Sequence, residues 1–144
     1  MILHGEEDTE RAGAQLASLA RAGDVIALSG PLGVGKTALA RGLIAGLGYE
    51  GDVPSPSFAI VQPYEALDPP VWHVDLYRIE NPAEIEELGL DAASDALLLV
   101  EWPERAGTYG WPQALSLSLE FGQDGDRILT ADVPPSWEGR WPPK

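Results

Sequence analysis

The chain has 144 residues, 44% of them apolar, enough for one domain around one core, which excludes a disordered chain. Asp and Glu number 23 against 9 Lys and Arg, a net charge of −14, which repels phosphate backbones and excludes extensive direct nucleic-acid binding; solvated carboxylates account for most of that surface, and docking to a basic partner is a use for the rest. With no cysteine there are no disulfides, thiolate metal sites or cysteine nucleophile, and with no apolar run of membrane length and no signal peptide the sequence predicts a cytoplasmic protein without membrane attachment.

In chain order, Met1-Ile2-Leu3 reads as a short edge strand. Thr9 is placed to N-cap a helix running to about Arg21, with Leu16, Leu19 and Ala20 as its buried stripe and Gly23 beyond its end. Val25 to Ser29 is a short apolar strand, and Thr37 to Leu47 has helical spacing at Leu39, Leu43 and Leu47, with Gly46 and Gly48 ending it. Residues 51–56 form a turn-rich connection, Phe58 to Gln62 reads as a strand broken by Pro63, and Val71 to Tyr77 alternates like another strand. Pro82 opens a short helix carrying Ile85 and Leu88 and closed by Gly89. Leu97 to Val100 is apolar throughout, the mark of a strand buried on both faces. Leu115, Leu117, Leu119 and Phe121 then alternate with polar residues, and Ile128 to Val133 is strand-like again, an antiparallel hairpin added to a parallel sheet. The predicted architecture is α/β over 1–133, three layers with a mostly parallel central sheet. Residues 134–144 form a Pro- and Trp-rich tail expected to be poorly ordered or packed on the surface.

Between the first long strand and its helix lies Gly30-Pro31-Leu32-Gly33-Val34-Gly35-Lys36-Thr37, the phosphate-binding pattern Gly, four residues, Gly-Lys-Ser/Thr without a mismatch. Gly30, Gly33 and Gly35 leave no side chain between backbone and ligand and allow the positive φ angles that turn N–H groups inward. Lys36 supplies a mobile positive charge for the β- and γ-phosphates, the Thr37 hydroxyl completes a Mg²⁺ shell, and the following helix points its positive end at the same anion. A Gly-rich turn with a surface lysine would also fit the letters; the strand before and helix after favour the phosphate loop, and with it the three-layer P-loop NTPase fold.

Ligands of open α/β sheets bind beyond the carboxyl ends of the strands, where two acidic residues can reach. Glu101 ends the run from Ala96 and stands where a Walker-B carboxylate would hold Mg²⁺ or orient a water. Asp75 shares a strand face with His73 and Tyr77; it is open whether it ligates Mg²⁺, acts as base, or simply closes the strand beside Arg78. The Ser55-Pro56-Ser57-Phe58 turn lies where many P-loop proteins sense the γ-phosphate, although two solvated hydroxyls would look the same. His73 reads as packed or hydrogen-bonded rather than catalytic, Trp102 as a core or interface anchor, and Arg78 and Arg105 as surface cations able to neutralise transition-state charge.

These pieces in this order resemble the TsaE family, the small P-loop ATPases of bacterial tRNA threonylcarbamoyladenosine synthesis. The likeness rests on residues 28–37, then 53–58, then His73-Val74-Asp75-Leu76-Tyr77-Arg78, then Glu101-Trp102-Pro103-Glu104. It implies a cytoplasmic, Mg-dependent ATP/ADP-binding protein whose weak ATPase is stimulated by the catalytic threonylcarbamoyltransferase subunit and its non-catalytic paralogue (the TsaD and TsaB families) and resets that complex. By position, Gly33, Val34, Gly35, Lys36, Thr37 and Ala38 would wrap the phosphates, Thr37 and Glu101 would hold Mg²⁺, and Asp75 would support hydrolysis. Trp102 would sit near the nucleotide, Thr9 near the base, and Ser57 would keep the hydroxyl of the usual Ser-Pro-Thr-Phe. The family often has an acidic residue in place of Pro31 and a threonine in place of Ala38, whose backbone N–H nevertheless remains. A small-molecule kinase is the alternative; it would need an acceptor site and usually a basic lid, which 9 Lys and Arg scarcely provide. A guanine-specific switch lacks its Asn-Lys-x-Asp stretch, the only Asn being Asn81.

Overall fold

The computed structural model describes residues 1–56, 60–90 and 94–142. Ser57, Phe58 and Ala59 lie outside the described residues, and with them the expected hydroxyl of Ser57 and the start of the expected strand at Phe58. The elements are β1 (Ile2–His4), α1 (Glu6–Ala17), β2 (Val25–Ser29), α2 (Lys36–Gly46), β3 (Val61–Tyr64), β4 (Val71–Asp75), α3 (Glu84–Glu87), β5 (Leu97–Glu101), β6 (Leu115–Phe121) and β7 (Asp126–Asp132).

The strands form one sheet of order β1-β7-β6-β2-β5-β4-β3. β6, β2, β5 and β4 pair in parallel, whereas β7 runs antiparallel to β6, β1 to β7 and β3 to β4. The expected mostly parallel α/β sheet with a C-terminal antiparallel hairpin is therefore the observed one. β5, apolar from Leu97 to Val100 and ending in Glu101, is buried along its whole length, as a strand covered on both faces must be. One face carries Ile26, Leu28, Leu97, Leu99, Leu115 and Leu117 into the larger core beneath α1 and α2. The other carries Ala27, Val74, Leu98 and Val100 into a smaller core closed by Ile79, Ile85 and Ala106, from α3 and the flanking irregular segments. The sheet is thus the middle layer, with two helices on one side and a thin, irregular cover on the other.

α1 and α2 lie unusually close. A methyl added at Gly42 would come within 1.9 Å of the Glu10 carbonyl oxygen, and one at Gly13 within 2.1 Å of the Leu39 carbonyl oxygen. Glycine at these helical positions has low propensity but lets the two backbones touch.

Five local expectations change. Thr9 is not the N-cap of α1: the helix starts at Glu6 behind Gly5, whose φ of 89° only glycine adopts readily, and Thr9 is buried one turn in with its hydroxyl donating to the Gly5 carbonyl. The helix ends at Ala17, so Leu19 and Ala20 flank the core instead of forming the stripe, which is Thr9, Ala12, Gly13, Leu16 and Ala17. Pro63 lies inside β3 rather than breaking it, because β3 is an edge strand and one side needs no ladder donor. Phe121, the last of the alternating apolar residues, is exposed, with the Arg127 guanidinium over its ring. The tail turns inward: Trp137 is fully buried, and Arg140 stacks on it while bonding both carboxylate oxygens of Asp24 and the Leu19 carbonyl.

Candidate functional site

A cleft of about 440 Å³ opens at the carboxyl edge of the parallel strands. β2 delivers the glycine loop there, with Gly30, Gly33 and Gly35 at φ of 149°, 79° and 118°. Gly30 makes room for the sheet: a methyl on it would meet the Leu119 carbonyl oxygen at 2.5 Å, whereas Gly33 faces open space. Of the predicted residues the cleft gathers Thr9, Gly33, Val34, Gly35, Lys36, Thr37, Ala38, Asp75, Glu101 and Trp102. Gly30 stands behind it, and its carbonyl oxygen accepts from the Lys36 ammonium, as does that of Pro31 at 3.2 Å. The Val34 side chain is buried in the larger core, so only its backbone is available to a ligand.

Lys36 is 5% exposed, and burial pushes its ammonium below the ordinary lysine range against the opposing pull of Glu101, Glu104 and Asp75. Its Nζ lies 3.8 Å from the centre of the Trp102 ring. Trp102 follows β5 in the left-handed region, at φ 60° and ψ 48°. This strained conformation for a bulky residue turns the indole toward the loop, where it also packs on Tyr77. Arg105 lies 5.5 Å from the Tyr77 ring centre and 5.9 Å from that of Trp102, outside the cleft, while Arg78 is part of its lining.

Thr37 lies in the first turn of α2, its hydroxyl donating to the Glu101 carboxylate, 3.1 and 3.2 Å from the two oxygens. The register of β4 on β5 puts Asp75 beside Glu101 and His73 beside Leu99, so His73, Asp75 and Glu101 share one sheet face. His73 Nε2 lies 2.6 Å from Glu101 Oε2, both side chains buried. Asp75 accepts from the Tyr77 N–H at 2.8 Å and faces the Ser55 hydroxyl at 3.5 Å. Burial pushes its carboxyl above the usual range, Glu101 adds to the push, and the Tyr77 N–H opposes it.

The oxygen pair of Thr37 and Glu101 suits Mg²⁺, which takes one or two protein oxygens and fills its shell with phosphate and water. Among the described residues no group of three or more His, Cys, Asp or Glu is placed to cage a metal. The cleft continues past Gly35 to the start of α1, where Thr9 Cγ2 would lie 3.5 Å from a methyl on Gly35 and Arg41 pairs with Glu6 and Glu10.

Arg127, which the sequence reading passed over, donates through Nε to the Val34 carbonyl at 2.7 Å and so ties β7 to the glycine loop. It is 93 residues from Val34, and only the hairpin pairing brings it back. Arg41 and Glu6 were likewise unread, their meeting depending on the packing of α1 on α2.

A mostly parallel sheet flanked by helices, with a glycine loop passing from its central strand into a helix, is the frame of the P-loop α/β proteins. Residues 3–129 match the family model described as "Threonylcarbamoyl adenosine biosynthesis protein TsaE". The chain belongs to the TsaE family. Among curated relatives it is 50% identical over 96 residues to a Streptomyces coelicolor protein named tRNA threonylcarbamoyladenosine biosynthesis protein TsaE, covering 64% of this chain and 65% of that one. It is 34% identical over 132 residues to the Rickettsia felis protein of the same name, covering 90% and 77%. The crystal structure of Bacillus subtilis YdiB superposes with a TM-score of 0.82 at 29% identity, over 96% of this chain and 88% of that one. Among the described residues no helix is long and apolar enough to cross a membrane.

Proposed function

We propose that this chain binds ATP with Mg²⁺ in the cleft and hydrolyses it to ADP and phosphate, slowly alone and faster when docked on the threonylcarbamoyltransferase subunit and its paralogue of the TsaD and TsaB families. It would act in the cytoplasm, resetting that complex during threonylcarbamoyladenosine modification of tRNA. The observation that carries the reading is the Thr37 hydroxyl on the Glu101 carboxylate at the mouth of a glycine loop already holding Lys36. The names borne by the relatives support the pathway.

The loop N–H groups and Lys36 would bind the phosphates, Lys36 leaving the carbonyls of Gly30 and Pro31 to do so. Mg²⁺, when bound by Thr37 and Glu101, neutralises phosphate charge. Asp75 lies beside Glu101 in the sheet register, and its raised affinity for a proton suits a carboxylate that orients the attacking water and receives its hydrogen. Trp102 walls the cleft beside Lys36, and Gly35, Ala38 and Thr9 shape its far end. The acidic surface supports a role carried out on a partner.

The test is steady-state Mg-ATP hydrolysis, alone and with the purified transferase pair. Slow turnover with clear stimulation is expected. Turnover indifferent to the pair would count against the reading and turn attention to small hydroxyl acceptors, as for a kinase.

A further inference from the structure

We propose that His73 is a positioning residue that fixes the Glu101 carboxylate for the divalent cation. The inference rests on the Mg-nucleotide reading above and adds to it a residue outside the cleft lining. Glu101 is 2% exposed and His73 fully buried. A carboxylate only accepts, so the 2.6 Å contact has His73 Nε2–H donating to Oε2, while the Thr37 hydroxyl reaches Oε1 at 3.1 Å and Oε2 at 3.2 Å. The oxygen held by His73 is therefore the one less available to a cation, which leaves Oε1, within reach of the Thr37 hydroxyl, as the freer of the two.

The other ring nitrogen supports a role beyond packing. Nδ1 is buried without a hydrogen-bond partner among the described residues. An apolar side chain would occupy a two-sided core position without leaving a polar atom unmatched. What the imidazole gives in return is a directed N–H to one carboxylate, on a β4 backbone fixed by its ladder to β5. Groups that orient a metal ligand in this manner act through geometry, and their loss typically costs about 10–100-fold in metal affinity or activity.

The experiment compares His73→Leu, His73→Asn and His73→Gln with the parent chain, following ADP binding by calorimetry in EDTA and across a MgCl₂ titration, with thermal melting alongside. Gln carries its amide about as far as Nε2, and Asn falls short. In the parent, MgCl₂ is expected to strengthen ADP binding. In His73→Leu the MgCl₂ needed for half of that effect should rise about tenfold or more, while ADP binding in EDTA stays within twofold. His73→Gln should restore most of the Mg²⁺ response. Equal Mg²⁺ dependence in the parent and His73→Leu would overturn the inference, as would a parallel loss with and without Mg²⁺. Should His73→Leu fail to fold, the Asn and Gln variants decide: Gln near the parent with Asn shifted supports the proposal, and the two alike overturns it. A parent chain whose ADP binding ignores MgCl₂ would instead overturn the Mg-nucleotide reading on which it rests.

Discussion

At the scale of single residues, the cleft holds charges that folding alone would not choose. Asp75 keeps its proton to higher pH in the folded chain than in the unfolded one, because burial disfavours its anion. The native state then binds more protons across the carboxylate range, so this group lowers stability as pH rises through it. Asp75→Asn should melt higher than the parent at neutral pH, by about 2–4 °C for each kcal/mol relieved in a chain of this size, with the gap closing below about pH 4. The same variant should bind nucleotide and lose turnover. Lys36→Ala should weaken ATP binding at least about tenfold, because a charge-assisted contact worth about 1.5–3 kcal/mol disappears. Tight ATP binding by that variant, measured by calorimetry, would remove the lysine from the site. Lys36, Thr37, Asp75 and Glu101 were legible in the sequence because each has a local signature, a fixed motif offset or the end of an apolar strand. The tie of Arg127 to Val34 and the contact of His73 with Glu101 were not, since both join residues far apart in the chain and depend on strand register.

At the scale of elements, the parallel centre and the hairpin were readable because their periods differ: an unbroken apolar run for β5, strict alternation for β6. The start of α1 was not, since the residues after Gly5 are polar and the apolar signal begins only near Ala12. Physically, Glu6, Glu7 and Asp8 suit the positive end of the helix, and Asp8 also accepts from the His4 N–H, which closes off β1. α1 matters to the cleft because it brings Thr9 up against Gly35, and the glycine contacts with α2 set that distance. Gly42→Ala would force its methyl into the Glu10 carbonyl, and overpacking of this kind costs about 1–3 kcal/mol. The expected result is a melting temperature lower by roughly 2–12 °C, with weaker nucleotide binding; an unchanged melting curve would show that the helices can part without cost.

At the scale of the whole molecule, the chain after β7 completes the larger core. Composition alone suggests loose ends for a stretch rich in Pro, yet Trp137 fills a buried position and Arg140 with Asp24 pins the segment beside Leu19. Trp137→Ala should cost about 3–5 kcal/mol, lowering the melting temperature by about 6 °C or more. A shift under about 2 °C would mean the tail covers the core without filling it. The net charge of −14 has a consequence of its own, in the speed of encounter. A polyanionic nucleotide must cross a repulsive field before it meets Lys36, and added salt shortens the reach of that field. Nucleotide on-rates measured by stopped flow should therefore rise with ionic strength, and rise most for the metal-free nucleotide, whose charge is greatest. A basic partner should show the opposite trend, so that salt alone would separate the approach of the small ligand from that of the large one.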